Sequence, residues 1–227
     1  MPQGIACLPQ YVSDYSLTYG EAMSRMRKPA EERQAEIVET ALRLLTHTPV
    51  EKLSTGVVAK EVGITQAAIF RHFPTKDALW QAVLEDIERR AVNLWNDAIA
   101  KGTSPLERLA ELIAAQLGLI AAYPAIPTLI FNAGQISAED TLRPIHRRVM
   151  SGLRHRLLVE IREAAQTGQI PPAPSAEDCA DLFLGLVQGT VLRWKLSDRS
   201  FDLIQEGRRI ATIQIGLLTA HNAGDDK

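Results

Sequence analysis

The chain has 227 residues and a mass of 25.0 kDa, enough for one or two domains with a full core. Hydrophobic residues make up 46% and aromatics only 5%, a composition that favours helices over an aromatic-rich β-sandwich. The 25 Lys and Arg against 27 Asp and Glu give a formal net charge of -2, which excludes a polybasic nucleic-acid coat but not a small basic face.

Residues 1–26 show no period and read as a flexible arm, or as sequence upstream of a start at Met23 or Met26. They show no charged segment followed by an apolar run, so no secretory leader is expected. Cys7 and Cys179 are far apart in no metal-like spacing, which fits a reducing cytoplasm. Ala30 to Thr46 carries one apolar stripe at Ile37, Val38, Ala41, Leu42 and Leu45, and His47-Thr48-Pro49 ends that helix. Two short helices follow, Thr55 to Val62 and Gln66 to Phe73. Thr75 then caps a long helix whose apolar side is expected to include Leu79, Val83, Ile87 and Leu94.

Beyond the loop at 101–104, helices are expected at about 105–122, 125–136 and 142–167. The apolar stretch Leu112 to Phe131 is interrupted by Gln116, Pro124 and Pro127, so it reads as buried helix and not as a membrane span. The Pro-rich segment 167–174 is a break, and Ser175 caps a helix reaching about Leu196. A last helix spans about Phe201 to Ala220, before a polar tail. The expected fold class is all-α, with about nine helices and no sheet.

The two short helices carry the chemical signal. Ala59, Gly63 and Ile69 stand at the spacing of a helix-turn-helix. Ala59 permits close approach, Gly63 supplies a left-handed turn, and Thr65 caps the second helix. That helix presents Gln66, Ala67, Phe70 and Arg71 on one face, with Ile69 and Phe73 turned inward. Gln pairs with adenine and Arg with guanine in the major groove, and a small residue admits a thymine methyl.

The run Ile69-Phe70-Arg71-His72-Phe73-Pro74-Thr75-Lys76-Asp77-Ala78-Leu79, with the helix-turn-helix before it, resembles the tetracycline-repressor-like (TetR) regulators over about 50 residues. The resemblance implies a DNA-binding domain at 27–74, an effector-binding and dimerisation domain at 75–221, and a tail at 222–227. It also implies repression at a palindromic operator, released by a small molecule. It places Thr55 at a phosphate-contacting position, Thr65, Gln66 and Ala67 at the start of the recognition helix, and His72 and Lys76 at further phosphate contacts. One departure is Phe70, where the family usually has Tyr; the neighbouring Arg71, where Tyr is also common, is placed to replace the lost phosphate bond or to read a base. Between Arg25 and Trp80 there are nine Lys or Arg and seven Asp or Glu. So small a surplus calls for a dimer that uses each contact twice.

The last two helices have apolar residues on more than one side, as a core face plus a partner face would need. Phe183, Leu186, Val187, Ile210, Gln214 and Leu217 are the expected homodimer interface. Trp95, Gln116, Phe131, Asn132, Gln135, Gln188, Arg193 and Trp194 are the candidate lining of a pocket for a hydrophobic or amphipathic effector. The basic run Arg143 to Arg156 reads as a solvated face, or as an attraction for an anion. No catalytic or metal-binding signature is present, the five His are scattered, and no cofactor is expected. The rival readings are a helical protein–protein adaptor and an enzyme with a dispersed active site.

Overall fold

A computed structural model describes residues 29–48, 52–127 and 142–220. The described residues form eight helices and no strand: α1 (Ala30–Leu45), α2 (Thr55–Val62), α3 (Gln66–His72), α4 (Lys76–Lys101), α5 (Pro105–Ala122), α6 (Arg143–Gln166), α7 (Ala176–Leu196) and α8 (Leu203–Ala220). The expected arm, the tail and most of the helix expected at 125–136 lie outside the described residues.

Local chemistry sets most helix starts. Ser54, Thr65, Thr75, Ser104 and Ser175 each sit just before a helix and accept a hydrogen bond from the backbone N–H three residues on. Each satisfies one of the N–H groups that a helix start leaves unpaired, worth about 1 kcal/mol. The last helix begins at Leu203, later than expected, because the Asp202 carboxylate accepts from the N–H groups of Ile204 and Gln205, both at 2.9 Å. Phe73 falls outside α3 as its C-cap.

Helices α1, α2 and α3 pack on one another, and α1 also packs on α4. The long α4 carries the chain onward and packs on α5 and α6; α7 packs on α5 and α6, and α8 on α5 and α7. Along α4 the buried row is Leu79, Trp80, Val83, Leu84, Ile87, Ala91, Trp95 and Ala98. Leu94, expected on this row, is 39% exposed, and its neighbour Trp95 is buried instead. Four consecutive buried turns with a 3.6-residue period bring the row to 95, one residue past the position that a strict seven-residue repeat selects.

Helix α8 crosses α5 at Gly207, where an added Cβ would stand 1.9 Å from Cδ1 of buried Leu117. A larger residue there would push the two helices apart. Among the described residues no helix is long and apolar enough to cross a membrane.

Candidate nucleic-acid interface and internal cavity

Gly63 ends α2 with φ 78°, the left-handed conformation. The N–H of Ile64 bonds back to the Ala59 carbonyl at 3.0 Å, which closes the turn. Val58, Ala59 and Ile69 are buried between the two helices. The turn therefore holds α3 rigidly across α2. The Thr65 hydroxyl accepts from Ala68 N–H at 3.2 Å.

On the outer side of α3, Gln66, Ala67, Phe70 and Arg71 are exposed, with Phe70 at 41%. Gln66 is also tethered: its Nε2 donates to the Thr55 hydroxyl at 2.8 Å. Thr55 itself is only 5% exposed. Its side chain sits inside the domain and aims Gln66, where the family resemblance implies a residue reaching outward to a phosphate. His72 is half-buried at the end of α3, and its carbonyl accepts from Gln34 Nε2 at 3.2 Å. Lys76 is exposed at the first position of α4.

The cations of this domain fall into two groups. Arg33 pairs with Glu36 at 2.8 Å and Arg43 with Glu61 at 2.9 Å. Lys52, Lys60, Arg71 and Lys76 make no ion pair among the described residues, so their charge is available to phosphate. Lys52 and Lys60 were not singled out from the sequence, which cannot show which base is already neutralised.

A charged junction joins this domain to the rest. On α4, Arg90 bonds Asp86 at 2.6 Å through Nε, the Tyr123 hydroxyl at 3.2 Å through Nη1, and Glu39 of α1 through Nη2. Bonding to Asp86 chiefly raises its pKa above the ordinary range, so it stays charged. Tyr123 is the C-cap of α5. One guanidinium thus ties together α1, α4 and the end of α5.

Beyond that junction lies a cavity of about 430 Å³ that opens toward the exposed side of α7, within the usual range for small-molecule sites. Leu84 and Ile87 come from α4, Gln116, Leu119 and Ile120 from α5, Ile145, His146, Val149 and Met150 from α6, and Gly185, Val187, Gln188, Gly189, Val191 and Leu192 from α7. Ile126 and Pro127 complete the described lining. Of the expected pocket residues, Gln116 and Gln188 line it. Trp95 does not, but its indole Nε1 donates to Gln116 Oε1 at 3.1 Å. Arg193 and Trp194 are displaced from the expectation: they sit at the seam between α7 and α8, where Arg193 pairs with Glu206 at 2.7 Å and Trp194 Nε1 donates to the Phe201 carbonyl at 3.0 Å. Phe131, Asn132 and Gln135 lie outside the described residues.

His146 was not singled out as a lining residue. The signal was there: Ile145, His146, Val149 and Met150 recur with helical period inside the basic run. Burial lowers its pKa below the usual histidine value, which favours the neutral ring. Much of the rest of that run is neutralised. Arg148 makes two bonds to Glu88, at 3.0 and 2.7 Å, and Arg154 pairs through two bonds with Asp181. Arg156 lies 5.0 Å from the Trp95 ring centroid. The run is thus a solvated face on which several of the cations already have an acidic partner.

The expected interface residues also divide. Phe183 and Val187 are buried at 0% and 2% exposure inside the chain's own core, so they have no surface to offer a partner. Leu186, Ile210 and Gln214 are half-buried, and Leu217 is 70% exposed. The exposed apolar side of α7 is instead Leu182, Leu192 and Leu196, with Gly185 and Gly189 on the same side; on α8 it is Ile213 and Leu217. Residues 182, 185, 189, 192 and 196 share one helical row. The sequence shows two apolar rows on α7 and does not say which faces inward.

Residues 37–83 match the family described as bacterial regulatory proteins, tetR family. The chain is similar to the nucleoid occlusion factor SlmA of Marinomonas sp. (strain MWYL1), 23% identical over 76% of this chain and 88% of that protein. It is similar in fold to a TetR transcription regulator from Haloarcula marismortui, with a TM-score of 0.72, 21% identity, and coverage of 83% of this chain and 98% of that one. It is also similar in fold to the transcriptional regulator FadR from Bacillus subtilis in complex with stearoyl-CoA, with a TM-score of 0.66, 16% identity, and coverage of 80% and 97%.

Proposed function

We propose that this chain, whose residues 37–83 match the tetR family of bacterial regulatory proteins, is a homodimeric repressor that binds a palindromic operator and releases it on binding a small molecule. The observation that carries this is the exposed face of α3, with Gln66, Ala67, Phe70 and Arg71 held outward by the Gly63 turn and the Thr55–Gln66 bond. A rigid helix with one adaptable polar face enters a major groove, and Arg71 and Lys76 carry unpaired charge beside it. Thr65 caps that helix, and His72 at its end adds a further contact to the backbone. Residues 27–74 read the DNA, and 75–221 pair the subunits and hold the effector.

The exposed rows on α7 and α8 support the dimer, with Leu182, Leu186, Leu192 and Leu196 facing Ile213 and Leu217 across a two-fold axis. The apolar cavity supports the effector. That FadR is bound to stearoyl-CoA supports the same kind of use for the cavity here. The similarity to nucleoid occlusion factors supports a second reading, a DNA-bound nucleoid occlusion factor with no small-molecule release. The cavity favours the first.

Footprinting on the promoter of the chain's own operon tests the proposal. A protected two-fold site, bound by a dimer in sedimentation and weakened by salt, is the expected result. No specific protection, or a monomer at micromolar concentration, would refute it.

A further inference from the structure

The cavity contains a built-in reader. Gln116 is 3% exposed and lines the cavity. Its amide orientation is set by Trp95, because an indole N–H only donates: the atom 3.1 Å from Trp95 Nε1 must be the carbonyl oxygen. The amide nitrogen therefore takes the other position. Among the described residues Nε2 makes no hydrogen bond of its own. Trp95 itself stands outside the cavity lining, so the indole holds the amide from behind and Nε2 faces the space. Facing that space, Nε2 can donate to a ligand oxygen in place of water.

The charge of the lining limits the ligand further. No Asp, Glu, Lys or Arg lines the described cavity. The remaining polar groups are His146, whose lowered pKa favours the neutral form, and Gln188 at the rim, which is exposed. An ionised headgroup seated among the aliphatic walls would meet no counter-charge from these residues. The walls are aliphatic from four helices.

We propose that the cavity takes an uncharged apolar molecule carrying one hydrogen-bond acceptor of the carbonyl type, recognised by Gln116 Nε2 with Trp95 holding the amide in place. This rests on the effector reading above and names the ligand class for it.

The test is a matched series on one ring, measured by displacement of the neutral fluorescent probe N-phenyl-1-naphthylamine from the full chain. The competitors are naphthalene, 2-acetylnaphthalene and 2-naphthoate. The ketone is expected to bind about fivefold or more tighter than naphthalene, the size of one net hydrogen bond, and the carboxylate weaker than the ketone. Gln116→Met is expected to bring ketone and naphthalene to within about twofold of each other with naphthalene affinity kept. The double variant Gln116→Met/Trp95→Phe removes the orphaned indole N–H as well and should behave the same way. Equal binding of ketone and naphthalene by the natural chain overturns the acceptor inference, and that comparison needs no variant to fold. A ketone preference that survives in Gln116→Met, or tightest binding by the carboxylate, overturns it too. Failure of the probe and all three competitors to bind overturns the effector reading itself, which is a different result from equal binding.

Discussion

Arg71→Ala tests the recognition face directly. The Arg71 side chain is exposed and makes no ion pair among the described residues, so its removal should change fold stability by less than about 0.5 kcal/mol. Its cost must then appear in DNA binding. A guanidinium pairing with a guanine edge is worth about 1–3 kcal/mol. A dimer uses it in both half-sites, so the loss is at least about 2 kcal/mol, or roughly 30-fold in affinity. The assay is fluorescence anisotropy on a labelled promoter fragment at several salt concentrations. If Arg71 reads a base, affinity falls and discrimination between sequences relaxes. If it holds a phosphate, affinity falls for every sequence and the salt slope drops by about two per dimer. Unchanged affinity at all salt concentrations, with the fold intact, would remove Arg71 from the interface and refute the reasoning from its free charge.

Arg90→Met removes the guanidinium that bonds Glu39, Asp86 and Tyr123. Amide exchange should quicken across α1, with the interior of α5 to α8 unaffected; identical exchange in α1 would show that the junction carries no tension between the two parts. Arg108→Met strips the partner from Glu160, which is 4% exposed and bonds Arg108 Nε at 2.6 Å. An unpaired buried carboxylate should cost about 3 kcal/mol, read by urea unfolding; a change below about 1 kcal/mol would contradict the burial argument. His146 is held below its ordinary pKa of 6.5 by burial. Below pH 6.5 the unfolded chain binds a proton that the folded chain resists, so stability falls as pH drops through that region. His146→Gln should flatten this part of the profile relative to the natural chain, and an unaltered profile would show that His146 titrates freely when folded.

The helices of this chain are legible because their determinants are local. Thr65, Thr75 and Ser175 lie within three residues of the N–H groups that they cap. Gly63 is legible for the same reason, since one left-handed residue between two short helices dictates the turn and with it the outward face of α3. The role of Thr55 was not legible. Its bond to Gln66 spans 11 residues, and only the packing of α2 on α3 shows that its hydroxyl is already used.

The same boundary runs through the larger domain. That α7 is a helix apolar on more than one side is plain from residues 176–196. That Phe183 and Val187 go inward, leaving Leu182 and Leu196 outside, depends on where α5, α6 and α8 stand. The cavity draws its lining from four helices spread over more than 100 residues of chain. Periodicity finds the apolar rows because they repeat every turn of one helix. Which rows meet, and which leave a space between them, is a property of how several helices pack, and that belongs to the tertiary structure alone.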